Sequence, residues 1–340
     1  MSLSVVIPVY NSARTIARCL QSIADQGLEG LQVVVVDDGS SDDIADRVAD
    51  FKAELDLEYV RQPKSGVSVA RNRGVSHASG DWVAFVDADD WLPACSLESF
   101  FRFAAGSSAD ICVGDFIMRQ SDGDTTFANI NSAQVMLGER DRMVLQRMCI
   151  ASIGFENQKN VGRLGAPWAK MYKRRFLLEV FTDGQLFQPG IPRGQDVLFN
   201  VEVFGRVRAV AYFHAPVYVY VLDNSSYSHR QNDSFLRNVA VLVEALTAYI
   251  ADNDCYYLLP AMHRMCVTLF DEGVLRYSFQ DSPARIRSLA KVPEFAAGIK
   301  GSRMRDYTWA GRMKLATLKL GLYRLYGALL TIRQRRPAAS

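Results

Sequence analysis

The sequence predicts an α/β fold, a mostly parallel open sheet with helices on both faces, followed by a helical C-terminal region. Three observations predict it. Apolar, β-branched runs alternate with amphipathic helical patterns from Leu3 to Val86, and such alternation implies parallel crossovers. Polar signatures fall at the ends of those runs, on the rim where open α/β sheets bind ligands. From Asn232 onward the strand patterns stop and apolar residues recur every three or four positions.

Leu3–Val9 is a short apolar run whose Pro8 suits a strand end better than a strand middle. Asn11 or Ser12 is placed to cap the next helix, whose Ile16, Leu20 and Ile23 share a face. Gln32–Val36 reads as a second buried strand ending in Asp37-Asp38-Gly39-Ser40, with Ser41 or Asp42 capping a helix through Ile44, Val48 and Phe51. Leu57–Arg61 makes a third strand, and Gly66 opens a third helix through Val67, Ala70 and Val75. Trp82–Val86 is the fourth strand. Five consecutive apolar residues suit a strand covered on both faces.

That fourth strand runs into Asp87-Ala88-Asp89-Asp90, three carboxylates in four positions. Like charges so close repel unless a positive group lies among them. A hard divalent cation held by one or two carboxylates and by phosphate oxygens would satisfy them. The plain alternative is a solvated acidic turn. Signatures at Tyr10-Asn11, at Asp37-Asp38 and at Asp87-Ala88-Asp89 all fall on one rim; together they point to a nucleotide site.

Val5-Val6-Ile7-Pro8-Val9-Tyr10-Asn11, Val35-Val36-Asp37-Asp38-Gly39-Ser40, Gly66-Val67-Ser68-Val69-Ala70-Arg71-Asn72-Arg73-Gly74 and Phe85-Val86-Asp87-Ala88-Asp89-Asp90-Trp91 resemble, in order and spacing, the family 2 glycosyltransferases of GT-A fold. The resemblance covers roughly the first hundred residues. It implies transfer of a sugar from a nucleoside diphosphate donor, usually UDP-linked, with inversion at the anomeric carbon. By position, Pro8, Tyr10, Asn11 and Asp38 resemble the donor-binding residues, Pro8, Tyr10 and Asp38 lining base and ribose. Asp87, Ala88 and Asp89 resemble the D-x-D motif, with Asp89 the direct ligand of Mn2+ or Mg2+ and Asp87 nearer the ribose. Asp90 reads as a supporting or solvated carboxylate. Gly66 would let the backbone approach the donor, against the alternative of plain turn chemistry. Arg71 would reach a phosphate or the base, against the alternative of a solvated helix charge.

Ala109–Val113 reads as a further strand with Asp115 after it, and Phe116–Phe127 as a hairpin. Gly165–Leu177 again resembles the family, where a comparable segment borders the acceptor cleft. There Trp168 would offer an apolar platform to a sugar and Lys170 would meet a phosphate; core packing or plain surface placement are the alternatives. Gln195-Asp196 precedes an apolar helix where the family usually has Glu-Asp, the Asp being the general base. Asp196 is thus the candidate base, since a base must be a carboxylate within reach of the acceptor hydroxyl, and it also suits a helix start. Gln195 departs from the pattern. Arg206–Phe213 and Pro216–Val221 read as edge strands. By resemblance, His229 with Arg230 belongs to a loop that closes on the diphosphate, where a His can ligate the metal; a solvated loop is the alternative, and His214 a lesser candidate.

The chain of 340 residues has 49% hydrophobic and 22% charged residues, ordinary for a globular protein. Its net charge of +2 conceals an asymmetry, because residues 301–340 carry nine Lys/Arg against one Asp. Two regions are expected, a donor-binding and catalytic domain over 1–230 and a helical region over 231–340. Leu315, Leu318, Leu322, Leu325, Leu329 and Ile332, set among basic residues, predict a basic amphipathic helix. Such a helix either contacts an anionic membrane or packs its stripe on neighbouring helices. Six scattered cysteines without metal-type spacing fit buried thiols in a reducing compartment. Neither a secretory signal nor an apolar run long enough to span a bilayer is read. The expected location is the cytoplasm, with peripheral contact at the cytoplasmic face of a membrane. The expected partners are a nucleoside diphosphate-sugar donor and a saccharide or lipid-linked acceptor, without nucleic acid. A nucleotidyltransferase is the first alternative, but Val9–Ala13 lacks the glycine-rich phosphate loop it would need. A non-catalytic nucleotide-sugar-binding protein is the second, kept open by Gln195.

Overall fold

The computed structural model describes residues 1–121, 123–130, 138–151, 164–222 and 234–334, with residues 332–334 described by backbone only. The chain divides into two compact units, one running from β1 to β8 and the other all-helical.

In the first unit β1 (Leu3–Val9), β2 (Leu31–Asp37), β3 (Asp56–Arg61) and β4 (Trp82–Phe85) lie in the order β3-β2-β1-β4, all parallel. Helices α1 (Ile16–Ala24), α2 (Ile44–Ala49) and α3 (Val67–His77) are the crossovers. Every residue of β1 is buried, which is why it reads as an uninterrupted apolar run, and each such Val or Ile stabilises the fold by roughly 1.5–3 kcal/mol. Helix α3 packs on this sheet through Gly74, where an added Cβ would meet Val6 Cγ1 at 2.2 Å. The four strands and three helices follow the expected order. The α/β expectation is borne out.

Beyond β4 the sheet turns mixed. Helix α4 (Ser96–Ala105) leads to β5 (Ile111–Gln120), which forms the expected hairpin with β6 (Gly123–Phe127). After α5 (Glu139–Ile150), β7 (Lys170–Lys173) inserts antiparallel between β4 and β5. Helices α6 (Arg174–Val180) and α7 (Gln195–Arg206) precede β8 (Val210–Val221), parallel to β5. The two edge strands expected near here are one strand. Pro216 falls at a register shift between Gly114 and Phe116 of the partner, so its missing N–H breaks no regular ladder.

The second unit comprises α8 (Phe235–Asp252), α9 (Leu259–Arg276), α10 (Pro283–Ala290), α11 (Pro293–Gly301), α12 (Trp309–Lys319) and α13 (Tyr323–Gln334). The single basic amphipathic helix expected at the C-terminus is instead two helices. Gly321 (φ 69°) stops α12 in the left-handed conformation, with the N–H groups of Gly321 and Leu322 bonded to the carbonyls of Leu318 and Thr317. Leu315 and Leu318 are buried within the unit, whereas Leu322 and Leu325 are exposed, so the six residues do not form one continuous stripe. Asp271 of α9 accepts hydrogen bonds from Lys314 and Tyr326, tying α12 and α13 to the helices beneath. Among the described residues no helix is long and apolar enough to cross a membrane.

Candidate active site

The loops at the carboxyl ends of β1 and β2 are clamped together. Asn11 (φ 50°) donates its N–H to Ser40 Oγ at 2.9 Å, and its Oδ1 accepts from the Ser41 N–H at 2.8 Å. Asp42 Oδ2 accepts from the Ala13 N–H at 2.9 Å. The helix-cap expectation for these residues is therefore corrected. Helix α1 starts after Thr15 and α2 after Asp43, neither with a side-chain cap bond. Pro8 is buried within β1, while Tyr10 is exposed beneath Lys64, whose Nζ lies 3.9 Å from the ring centroid and 2.7 Å from the phenolic oxygen.

Asp37 and Asp38, at the end of β2, are buried. Asp37 accepts from the Ser40 N–H at 2.8 Å and from the Tyr59 hydroxyl at 2.7 Å. Burial pushes its carboxyl up, but these hydrogen bonds and Arg61 outweigh that and hold it below the usual range. Asp38 Oδ1 accepts from Gln62 Nε2 (2.8 Å) and the Ser65 N–H (2.7 Å), and Oδ2 from the Gly66 N–H (2.8 Å). Asp38 thereby shapes the loop that starts α3. Gly66 adopts φ +95°, which an L side chain rarely takes, and its Cβ direction opens into free space.

The end of β4 resolves the crowding of its carboxylates by sending them to three different environments. Asp87 Oδ1 accepts from Arg71 Nη2 at 2.8 Å. Ala88 is buried and Asp89 is exposed, its carbonyl accepting from Arg18 Nη2 at 2.7 Å. Asp90 is buried against β8, accepting from the Tyr218 hydroxyl at 2.6 Å and the Val221 N–H at 2.8 Å. Burial, then the charges of Asp89 and Asp87, push its carboxyl well above the ordinary range. Asp90 is a structural tether, not a solvated charge.

Helix α3 joins this end of the sheet to α7. Arg71 is only 4% exposed, and its guanidinium lies 5.2 Å from the centroid of the Phe187 ring. Its Nε and Nη1 are buried without a hydrogen-bond partner. The neighbouring Asn72 pairs with the backbone of Phe187 twice, accepting its N–H and donating to its carbonyl, each at 2.8 Å. Phe187 in turn stacks on Phe199 of α7 at 4.2 Å. Asp196 stands in the first turn of α7, where its Oδ1 accepts from the Val197 N–H at 3.0 Å. Burial raises its carboxyl above the ordinary value, the Arg71 charge acts in the opposite direction, and Asp87 adds to the rise. Asp87, Arg71 and Asp196 therefore sense one another's charge. The buried Oε1 of Gln195 has no hydrogen-bond partner.

Residues 4–181, more than half the chain, match Glycosyl transferase family 2. The chain is a family 2 glycosyltransferase. The expected family is thus borne out. The glycosyltransferase is 29% identical over 253 residues to the glycosyltransferase GlyA of Streptococcus pneumoniae serotype 4, a match covering 73% of this chain and 34% of GlyA. The chain thus spans about a third of that relative's length. It superposes on residues 1–349 of S. aureus TarS in complex with UDP-GlcNAc with a TM-score of 0.64 at 18% identity, covering 100% of this chain and 93% of the other. The mannosyltransferase PcManGT from Pyrobaculum calidifontis, in complex with GDP-Man and Mn2+, gives a TM-score of 0.50 at 18% identity, covering 98% and 88%. At such identities these two structures establish the GT-A fold.

The remaining sequence candidates of the glycosyltransferase fall as follows. Trp168 is buried and stacks on Tyr218 at 4.8 Å and on Tyr220 at 5.5 Å. Lys170 is buried in β7, donating to the Ala166 carbonyl at 2.6 Å, and burial lowers its ammonium to about 8. Both are packed within the unit. His214 is exposed with its ring against Tyr212. His229 and Arg230 lie outside the described residues. Among the described residues no group of three or more His, Cys, Asp or Glu is arranged as a metal cage. The donor set nevertheless fits a hard cation that takes one or two carboxylates and completes its shell with phosphate oxygens, because Asp89 is exposed beside Asp87. Asn72, Phe187 and Tyr218 are functional neighbours of the site to which the sequence assigns no role. Asn72 falls inside a family-like block and Phe187 shortly before Gln195-Asp196, but nothing in the sequence points to Tyr218, because a phenol in an apolar strand carries no chemical signature of its own.

Proposed function

We propose that this glycosyltransferase moves a sugar from a UDP-sugar to a hydroxyl of a saccharide or lipid-linked acceptor, with inversion and a divalent metal. Residues 1–230 would carry donor binding and catalysis and residues 231–340 the helical region. Pro8, Tyr10, Asn11, Asp38 and Gly66 line the donor end on this reading, with Arg71 directed to the diphosphate. Asp89, with Asp87, would hold Mn2+ or Mg2+, which when bound supplies a Lewis acid to offset charge on the leaving diphosphate. Asp196 takes the proton of the acceptor hydroxyl. That oxygen forms its bond to the anomeric carbon as the bond to the diphosphate breaks, from the opposite face, and the electron pair leaves with the diphosphate. Trp168 and Lys170 would support the acceptor side by holding β7 against its neighbours.

The observation that supports this reading most is the Arg71–Asp87 pair at 2.8 Å with Asp196 within electrostatic reach of both. An accepting carboxylate, a cation with unpaired N–H groups and a carboxylate raised above its ordinary range by burial are parts suited to proton abstraction beside a diphosphate. The test uses a panel of UDP- and GDP-sugars. Asp196→Asn should abolish transfer to an acceptor while keeping metal-dependent stabilisation by the donor, and Asp89→Asn should lose that metal dependence. Full turnover by Asp196→Asn rules out the base assignment. Donor stabilisation without transfer by the unaltered protein, across a broad acceptor panel, returns the non-catalytic reading.

A further inference from the structure

The apolar residues that the second unit leaves uncovered concentrate on its last helices. Trp309 is 76% and Leu320 71% exposed, with Met304, Met313, Leu322 and Leu325 also exposed. Trp309, Met313, Ala316 and Leu320 follow one another at intervals of four, three and four residues, which places them on one side of α12. Leu315 and Leu318, at intermediate positions, point into the unit and are buried. Helix α12 thus has two apolar sides, of which folding covers one. Arg312 and Lys319 are exposed and border the uncovered side along one edge, where they donate to the backbone carbonyls of Tyr307 and of Lys300 and Ser302, and Arg303, Arg305 and Arg324 are exposed close by in sequence. The single acidic residue of the region, Asp306, lies near Arg305. Isolated exposed apolar residues are unremarkable, but a row of them rimmed by one sign of charge marks a contact surface.

We propose that this outer side of α12, with the turn at Leu320–Leu322, docks on an anionic lipid surface. The charge decides the occupant. Five exposed cations interleaved with apolar side chains match a bilayer interface bearing anionic headgroups, where an indole sits at headgroup depth and Arg and Lys reach the phosphates. This surface shares only Leu322 with the leucine stripe read from sequence, since Leu315 and Leu318 of that stripe are core. It is independent of the catalytic assignment, because no residue of it belongs to the candidate active site.

The experiment is flotation of the full chain with vesicles of phosphatidylcholine alone and with phosphatidylglycerol added. Binding should require phosphatidylglycerol and weaken with salt. Arg303→Gln and Arg324→Gln should each lower partitioning about fivefold, and Trp309→Ala with Leu320→Ala should lower it at least about tenfold. All four positions are exposed, so thermal melts should be unchanged, and transfer to a soluble acceptor should be retained. Failure of the unaltered chain to float, or equal flotation of the Trp309→Ala/Leu320→Ala variant, overturns the proposal. So does a concentration-dependent dimer that the same pair of substitutions abolishes, since a second copy would then be the occupant.

Discussion

Replacing Arg71 with methionine separates what this residue does for the fold from the donor role proposed for it. In the free protein its guanidinium makes one charged hydrogen bond, to Asp87 at 2.8 Å, and leaves Nε and Nη1 buried without a partner. A buried unmade donor costs about 1–3 kcal/mol, and a hydrogen bond to a charged group contributes about 1.5–3 kcal/mol. Asp87 is 29% exposed at its side chain, so water stands in for part of the lost partner. Relief of the two unmade donors, about 2–6 kcal/mol together, offsets the loss of that bond and of the partner of Asp87. Arg71→Met should therefore shift the melting temperature of the free protein by only a few degrees. Donor binding is another matter. Two N–H groups that pair with the diphosphate would contribute about 3 kcal/mol or more, so donor affinity should fall at least about a hundredfold. Thermal shift and calorimetry with UDP-sugar and Mn2+ measure both quantities. Unchanged donor affinity, or a collapse of the free protein, would refute the reasoning.

Other outcomes follow from single features. Burial raises the Asp196 carboxyl and Arg71 opposes the rise; a base works only deprotonated, so kcat/KM should climb with pH through a midpoint above the ordinary carboxylate range. Arg71→Met should move that midpoint higher still, and a profile identical to that of the unaltered enzyme would remove Asp196 from the acid limb. Gly74→Ala should destabilise the first unit by about 1–3 kcal/mol, because its Cβ meets Val6; a urea titration reads the loss. Gly66→Ala should cost about 1–3 kcal/mol through its φ of +95°, measured the same way. Asp110 accepts three hydrogen bonds from Arg208, at 2.9 to 3.0 Å. Burial raises its carboxyl, but those bonds prevail and hold it low. Its stabilisation is therefore present above the unfolded carboxyl pKa and is lost as pH falls through the depressed one. Asp110→Asn should lower stability by about 1.5–3 kcal/mol at neutral pH, a gap that closes in strong acid.

The parallel half of the sheet was legible because β1, β2 and β4 are buried on both faces and so write themselves as unbroken apolar runs. β7 was not. Its four residues include two lysines, and nothing local reveals that Lys170 is buried with its ammonium on a backbone carbonyl. The cap residues misled for a related reason. Asn11 and Asp42 are good caps by type, but each is claimed by the opposite loop across the rim, a pairing distant in sequence. At the C-terminus a regular leucine spacing continued through Gly321, whose positive φ divides it. Around the site, the carboxylates of the family-like blocks announced themselves. What assigns each of them a task is an arginine, an amide and a phenol on other elements, and that is tertiary information.

The double hydrogen bond between Asn72 and the backbone of Phe187 carries a practical lesson for protein engineers. It makes the stretch leading to Asp196 a fitted part, keyed to the helix that holds Arg71. A loop grafted here from a relative would need to bring its own matching key, or Asp196 would arrive out of line with Arg71 and Asp87. Swapping helix and loop together is the safer graft.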